Sequence, residues 1–589
     1  MKKFTFLLSL LLAFVGVTAS AQSLTISNAP SSDGTWASNT QWYLIRVALT
    51  DYYHPNAGFL STDENYVNAN GLLLSNKTVP TNDKGLWCIV GDDTNGYKFY
   101  NKGEGTTKVL GISETSKWSK MYETSSTESV AMSFDIANST ADSKAHCVKF
   151  HGKSDGDYWW NNSDNGGCHL SYWQGESSTV ATTGNAYYFI PVNDLASATY
   201  DAKLFLGNTN VEAFRHIPGV SEVCADEIST WDANKTQKND EAFTAKATNY
   251  LNNAYYRVTN CNTKRVKPVL AADASSVACV AAAEKMTNAS TLWKFVPTFK
   301  EGTEKAGVKL YNVNAKAYLG ALVTPTQHPV TPMVAEQTEG GLYSISVNTS
   351  GSVNGFVLRD GNNGRMNLES DGGIDKWEGE NKYYEQVTWE IEVANQFEVA
   401  LNNVGENSYA TAYLPFGVSA VEGADAYVGT LNTDNTVLNM TQATSVPAGK
   451  GFVLVGGAAD TKATLTIGNV TETVSSDLTG TNTAISLTDE NRANYLVFGR
   501  KKDVTTTELG FFKTTAATIP ANKAFLDATA LTGSTSAIAM NFGGNTTGVN
   551  TVVLGENGVN APVFDLSGRR VVAPVKGGVY IQNGKKFIK

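Results

Sequence analysis

The sequence predicts an all-β chain in which one domain occurs twice. The first observation is a repeat. Around residue 86 the chain reads LWCIVGDDTNGYKFYNKGEGTTKVLGI, and around residue 292 it reads LWKFVPTFKEGTEKAGVKLYNVNAKAYLGA. Both follow one plan: Leu-Trp, a strand, a polar turn with glycine, a strand ending Tyr-Asn, another turn, then Leu-Gly. The second observation is that the flanks match in the same order. WYLIRV at 42–47 and YYRVTN at 255–260 precede the copies, WQGE at 173–176 is matched by WEGE at 377–380, and YYFIPV at 187–192 and TWEIEV at 388–393 close them. The third is a threefold strand pattern inside each copy: LWCIV, SFDIA (133–137) and YYFIPV in the first, LWKFV, YSISV (343–347) and TWEIEV in the second. Short strands punctuated by Gly and Asn, repeated three times, suit a closed barrel of three related units.

The N-terminal stretch MKKFTFLLSLLLAFVGVTASAQ has the form of a secretory signal peptide. Lys2 and Lys3 form the charged region, Phe4 to Val17 the apolar run, and Ala19-Ser20-Ala21 a small-residue cleavage site. Cleavage after Ala21 is expected, so residues 1–21 are read as leader. The apolar run is too short for a membrane span, and no later segment has the length for one. Loss of Lys2 and Lys3 would leave 44 basic against 56 acidic residues, a net charge of −12. So acidic a surface argues against nucleic acid as a partner, which calls for a basic footprint. Cys88, Cys147, Cys168, Cys224, Cys261 and Cys279 would meet an oxidising route. Local pairs Cys147–Cys168 and Cys261–Cys279 and buried free thiols both remain open.

After the first copy (22–195), residues 196–250 break the β pattern. NDEAFTAKATNYL sets Phe243, Ala247 and Tyr250/Leu251 at helical spacing, with Asn239 as the cap. A partly helical connector is expected there, followed by the second copy at 251–395. Beyond it the texture turns to Val, Thr and Ala. Pro-Ala-x-Lys-x-Phe occurs at 447–452 and again at 520–525, which predicts a β-sandwich over 396–543 with the role of a spacer. A Gly/Asn/Thr-rich linker, GGNTTGVNTVV, opens the last segment, 544–589. That segment ends in short β-branched runs between Gly turns, read as small strands and a hairpin.

This end resembles the C-terminal sorting domain of the type IX secretion system in the Bacteroidetes, on FDLSGRR at 564–570, GGVYI at 577–581 and the terminal NGKK. The resemblance implies transport across the outer membrane with release or surface attachment, and the secretion machinery as a partner. The two copies resemble the β-trefoil of ricin-type lectins in the divergent form appended to secreted Bacteroidetes proteins, over about 25–195 and 251–395. The ricin signature Gln-x-Trp is replaced by LWCIV and TWEIEV, so none of that family's sugar contacts is carried over.

The stretch WWNNSDNGGCHLSYWQGE (159–176) sets indoles among amides and carboxylates. A sugar ring has an apolar C–H face and a polar rim, and needs both kinds of group. Trp159, Trp160 and Trp173 with Asn161, Asn162, Asp164, Gln174 and Glu176 supply them. In the second copy the matching residues are Asp371, Trp377, Glu378 and Glu380. Adjacent Trp159 and Trp160 point to opposite faces of a strand, so one of them is expected to be exposed. Trp87 and Trp293 are expected in the core, whereas Trp173 and Trp377 fit a core or a ligand platform equally. A glycan or glycoprotein is the expected partner, at the cell surface or outside it. The alternatives are a structural or adhesin-like protein with protein partners, and a glycan-active hydrolase.

No catalytic frame supports an enzyme. There is no Gly-x-Ser-x-Gly elbow, GNNGRMNLESDGG is far from a calcium loop, and His146, His151 and His169 near Cys147 and Cys168 lack a CxxC or HExxH frame. No cofactor or metal is expected.

Overall fold

The structure, a computed structural model, describes residues 23–48, 58–68, 73–140, 142–154, 158–163, 168–173, 184–324, 331–348, 353–361, 364–377, 384–500, 509–531, 536–543, 563–565, 570–571, 575–576, 578–582 and 585–588. It is mostly β. The chain divides into two compact units. The first comprises 1–213, 226–244 and 299–306, and the second 214–225, 245–298 and 307–589. Cleavage at Ala21 lies outside the described residues.

In chain order the first unit runs β1 (Trp42–Val47), β2 (Phe59–Leu60), β3 (Ser75–Asn76), β4 (Trp87–Asp92), β5 (Gly96–Asn101), β6 (Lys108–Ser113), β7 (Ser119–Glu123), β8 (Val130–Ala131), β9 (Phe134–Asn138), β10 (Ala145–Phe150), β11 (Trp159–Ser163), β12 (His169–Trp173) and β13 (Ala186–Val192). Six of them close a ring: β1 pairs β4, β4 pairs β5, β5 pairs β9, β9 pairs β10, β10 pairs β13, and β13 returns to β1. Closure leaves the ring no free edge. The pairs β2–β3, β6–β7 and β11–β12 form three hairpins.

The second unit repeats this with β14 (Tyr256–Asn260), β15 (Val269–Ala272), β16 (Val277–Val280), β17 (Trp293–Thr298), β18 (Gly307–Asn312), β19 (Ala317–Leu319), β20 (Met333–Val334), β21 (Tyr343–Asn348), β22 (Gly355–Asp360), β23 (Gly364–Leu368), β24 (Ile374–Trp377) and β25 (Trp389–Val393). The ring is β14–β17–β18–β21–β22–β25 and back to β14. The hairpins are β15–β16, β19–β20 and β23–β24.

One aromatic position organises both rings. It lies at the start of β4, β9, β13, β17, β21 and β25, and is filled by Trp87, Phe134, Tyr187, Trp293, Tyr343 and Trp389, all fully buried. Trp87, Trp293 and Trp389 donate their indole N–H to the carbonyls of Leu60, Leu270 and Met366 at 3.1, 3.1 and 2.9 Å. The Tyr343 hydroxyl does the same to Gly320 at 2.5 Å. Each bond ties a ring strand to its hairpin and satisfies a buried donor. Trp87 and Trp293 are therefore core, as expected.

Residues 196–250 are more helical than expected, with helices at Ala198–Leu206, Asn210–Phe214, Val220–Val223, Ala225–Ala233 and Gln237–Asn253. Phe243, Ala247 and Leu251 are buried, as their spacing predicted. Asn239 is not the cap. The helix begins at Gln237, and the Thr236 hydroxyl accepts the Asn239 amide at 3.3 Å.

Residues 396–543 form a three-stranded sheet, a ten-stranded sheet and a two-stranded one. They hold a core of their own, with Tyr427, Val453, Leu496, Phe511 and Ile538, and share a second one. Phe397, Leu414, Phe416, Phe452, Leu454 and Leu465 pack in one cluster with Ala289, Leu292, Val313 and Ala394 of the second ring. Both Pro-Ala-x-Lys-x-Phe segments turn through a left-handed residue, Gly449 at φ 71° and Asn522 at φ 61°. In the tail, Val563–Asp565, Arg570–Val571, Val579–Gln582 and Lys585–Ile588 make a small sheet that includes the expected hairpin. None of the six cysteines is in a disulfide, so neither local pair forms.

Candidate functional site

Hairpin β11–β12 carries the tryptophans. Its register sets Trp159 opposite Trp173, Trp160 opposite Tyr172 and Asn162 opposite Leu170. Directly paired residues share a face, so Trp159 and Trp173 lie on one side and Trp160 and Tyr172 on the other. The expectation that Trp159 or Trp160 is exposed is corrected, because both faces of β11 are covered. Trp160 fills the ring interior, its ring 4.8 Å from Phe99, 5.2 Å from Phe134 and 5.5 Å from Tyr187. Trp159 packs in a second cluster with Leu44, Phe59, Ile190, Ala198 and Ala202. Asn162 is also buried and accepts the Ser75 hydroxyl at 2.9 Å, which ties hairpin to hairpin. Asn161 is half-buried.

Trp173 is different, with 55% of its surface exposed. The Lys117 ammonium lies 5.5 Å from its ring and 5.4 Å from that of Tyr172. Trp118 stacks obliquely on His169 at 4.6 Å, and Tyr158 on Tyr172 at 4.9 Å. The Tyr172 hydroxyl donates to the Glu114 carbonyl at 2.9 Å, fixing the ring beneath. Lys153 covers Tyr158 at 4.6 Å. Lys117, Tyr158 and Cys168 all take positive φ, 66°, 55° and 61°. Non-glycine residues rarely do so, and such strain gathers where a side chain must be held in place. Asp164, Gln174 and Glu176 lie outside the described residues.

In the second unit, Asp371 is exposed at the turn of β23–β24, where its carboxylate accepts the Gly373 amide at 3.0 Å. It lines a cleft of about 210 Å³ with Lys264, Arg265, Val266, Lys267, Glu369 and Ser370. Below the turn, the Asn367 amide donates to Asp375 at 2.9 Å and to Glu369 at 2.7 Å. Burial pushes the Asp375 carboxyl up to about 6, against the Asn367 bond that lowers it and with the Glu369 charge adding to the rise. Trp377 is half-buried. Glu378 and Glu380 lie outside the described residues.

The sequence reading missed the cations, Lys117 in the first unit and Arg359 and Arg365 in the second. Their signal was a basic residue within reach of an aromatic strand end, which only the register reveals. Among the described residues no group of His, Cys, Asp and Glu forms a metal site. His151 pairs with Asp135 at 2.6 Å.

No protein-family model matches the chain, and no curated protein matches it. Among solved structures, it is similar to the Macrolepiota procera ricin B-like lectin in complex with lactose, at 14% identity over 26% of this chain and 98% of that one. The TM-score is 0.18, and at that score and identity the likeness carries no argument about ligand or fold.

Proposed function

We propose that this is an exported, non-catalytic carbohydrate-binding protein built from two β-trefoil domains. Each closed six-strand ring with three hairpins supports the trefoil reading. The leader-like N-terminus and the FDLSGRR and GGVYI segments of the tail support export by the type IX route, with the protein released or held at the cell surface.

The observation that carries the glycan reading is Trp173, a residue 55% exposed beside the Lys117 ammonium. An indole left open to water offers a flat apolar face to sugar C–H groups, and the cation beside it reaches ring hydroxyls or an acid group. Had Trp173 been buried, the structural or protein-binding alternative would lead. The test is a glycan-array screen of the full chain beside Trp173→Ala, with circular dichroism as the control for folding. Binding by the wild type that is lost in a folded variant is the expected result. No binding by the wild type, or equal binding by Trp173→Ala, overturns the reading.

A further inference from the structure

We propose that Arg359 and Arg365, beside Trp377, bind the oxyanion of an acidic sugar, a sulfate or a carboxylate. This rests on the glycan reading and specifies its ligand. Arg359 lies directly opposite Arg365 in the β22–β23 pair, and Arg365 lies directly opposite Trp377 in β23–β24. All three therefore rise from one face of the sheet.

Two guanidiniums opposed across strands repel each other, and that arrangement is disfavoured unless something negative relieves it. Nothing among the described residues does. No ion pair or hydrogen bond is formed by either guanidinium there, and Arg359 is depressed first by burial and then by the charge of Arg365. The neighbouring Asp360 carboxylate is turned away, accepting the Leu322 amide at 2.6 Å. Two planar forks with ten N–H donors between them match the oxygens of a sulfate or carboxylate. The indole of Trp377 supplies an apolar neighbour for the ring that carries the anion.

The first unit holds the same ladder with other residues. Lys149 is opposite Trp159, and Trp159 is opposite Trp173. The Lys149 ammonium lies 5.5 Å from the Trp159 ring. A cation thus stands at the same rung in both copies, on a chain whose net charge is −10. In the first copy an indole takes up the middle rung. In the second, a second cation does, and the site becomes one for an anion.

The experiment is isothermal titration of the full chain with three probes: a heparin hexasaccharide, a hexagalacturonate and neutral maltohexaose. Wild type, the double variant Arg359→Gln/Arg365→Gln and Trp173→Ala are compared at low and high salt. The expected result is binding of at least one acidic probe, weakened by salt and reduced tenfold or more in the double variant. Preference for heparin assigns sulfate, and preference for galacturonate assigns carboxylate. Equal binding of acidic probes by the double variant, or none by the wild type at low salt, overturns the proposal. Acidic binding that depends on the arginines but is indifferent to Trp173 in every probe keeps this site and removes Trp173 from the glycan reading. If the glutamine variant does not fold, Arg365→Lys keeps the charge, loses the fork, and is expected to weaken binding severalfold.

Discussion

Lys117 and Trp173 face each other across two hairpins, ammonium to indole at 5.5 Å. Hairpin β6–β7 ends in the turn that carries Lys117, and β12 ends in Trp173, so the pair joins two separate segments at the surface. Because Trp173 is exposed, its loss leaves no cavity. Trp173→Ala should change stability by less than about 1 kcal/mol, whereas Trp160→Ala, inside the ring, should cost about 3 to 5 kcal/mol. Urea denaturation of the two variants checks the contrast.

The indole bonds of Trp87, Trp293 and Trp389 each satisfy a hairpin carbonyl. Phenylalanine at any of these positions keeps an aromatic ring and removes the donor. Each such substitution should cost roughly 1 to 3 kcal/mol, the loss of a bond plus a desolvated carbonyl. Thermal unfolding of the three single variants checks this.

Asp375 gives a pH dependence of definite sign. Its folded pKa is raised to about 6, above the ordinary carboxylate value. The folded state therefore holds this proton more tightly than the unfolded chain. The stabilisation is complete below about pH 4 and is lost as the pH rises through 6. Asp375→Asn should raise the melting temperature at pH 7 relative to wild type and erase the difference near pH 4. Melting curves across that range decide it, and a variant destabilised at pH 7 contradicts the assignment.

The two Pro-Ala-x-Lys-x-Phe turns predict a local rule. Gly449 and Asn522 sit in the left-handed region, which β-branched side chains resist. Asn522→Gly keeps the backbone but loses the amide bonds to Asn314 and the Tyr413 carbonyl, at about 1 kcal/mol, and Asn522→Val adds about 1 to 2 kcal/mol of backbone strain to that loss. Chemical denaturation compares them.

The cysteines should titrate as six thiols in denaturant without any reductant. Cys88 and Cys279, each pushed up to about 12 by burial, should be inert to thiol reagents in the folded protein. A fast-reacting pool at those positions in native buffer would contradict their burial.

The repeat was legible because Leu-Trp and Tyr-Asn are spelled alike at 86 and 292. The same aromatic position was illegible at Phe134, Tyr187 and Tyr343, since the ring type changes while the geometry holds. Alternation correctly put Trp159 and Trp160 on opposite faces, but no sequence pattern says that both faces are covered. Burial there comes from residues far away in the chain, Phe99 and Phe134 on one side and Ala198 and Ala202 on the other. The arginine pair was invisible for a related reason. Arg359 and Arg365 become neighbours only through the strand register.

The core shared by the second ring and the strands after it limits how this protein can be cut. A gene fragment ending at residue 395 would strip Phe397, Phe416, Phe452 and Leu465 from Ala289, Leu292, Val313 and Ala394. The exposed oily scar would favour clumping in an expression host. Evolution faces the same limit: recombination can shuffle the second ring only together with the strands that seal it.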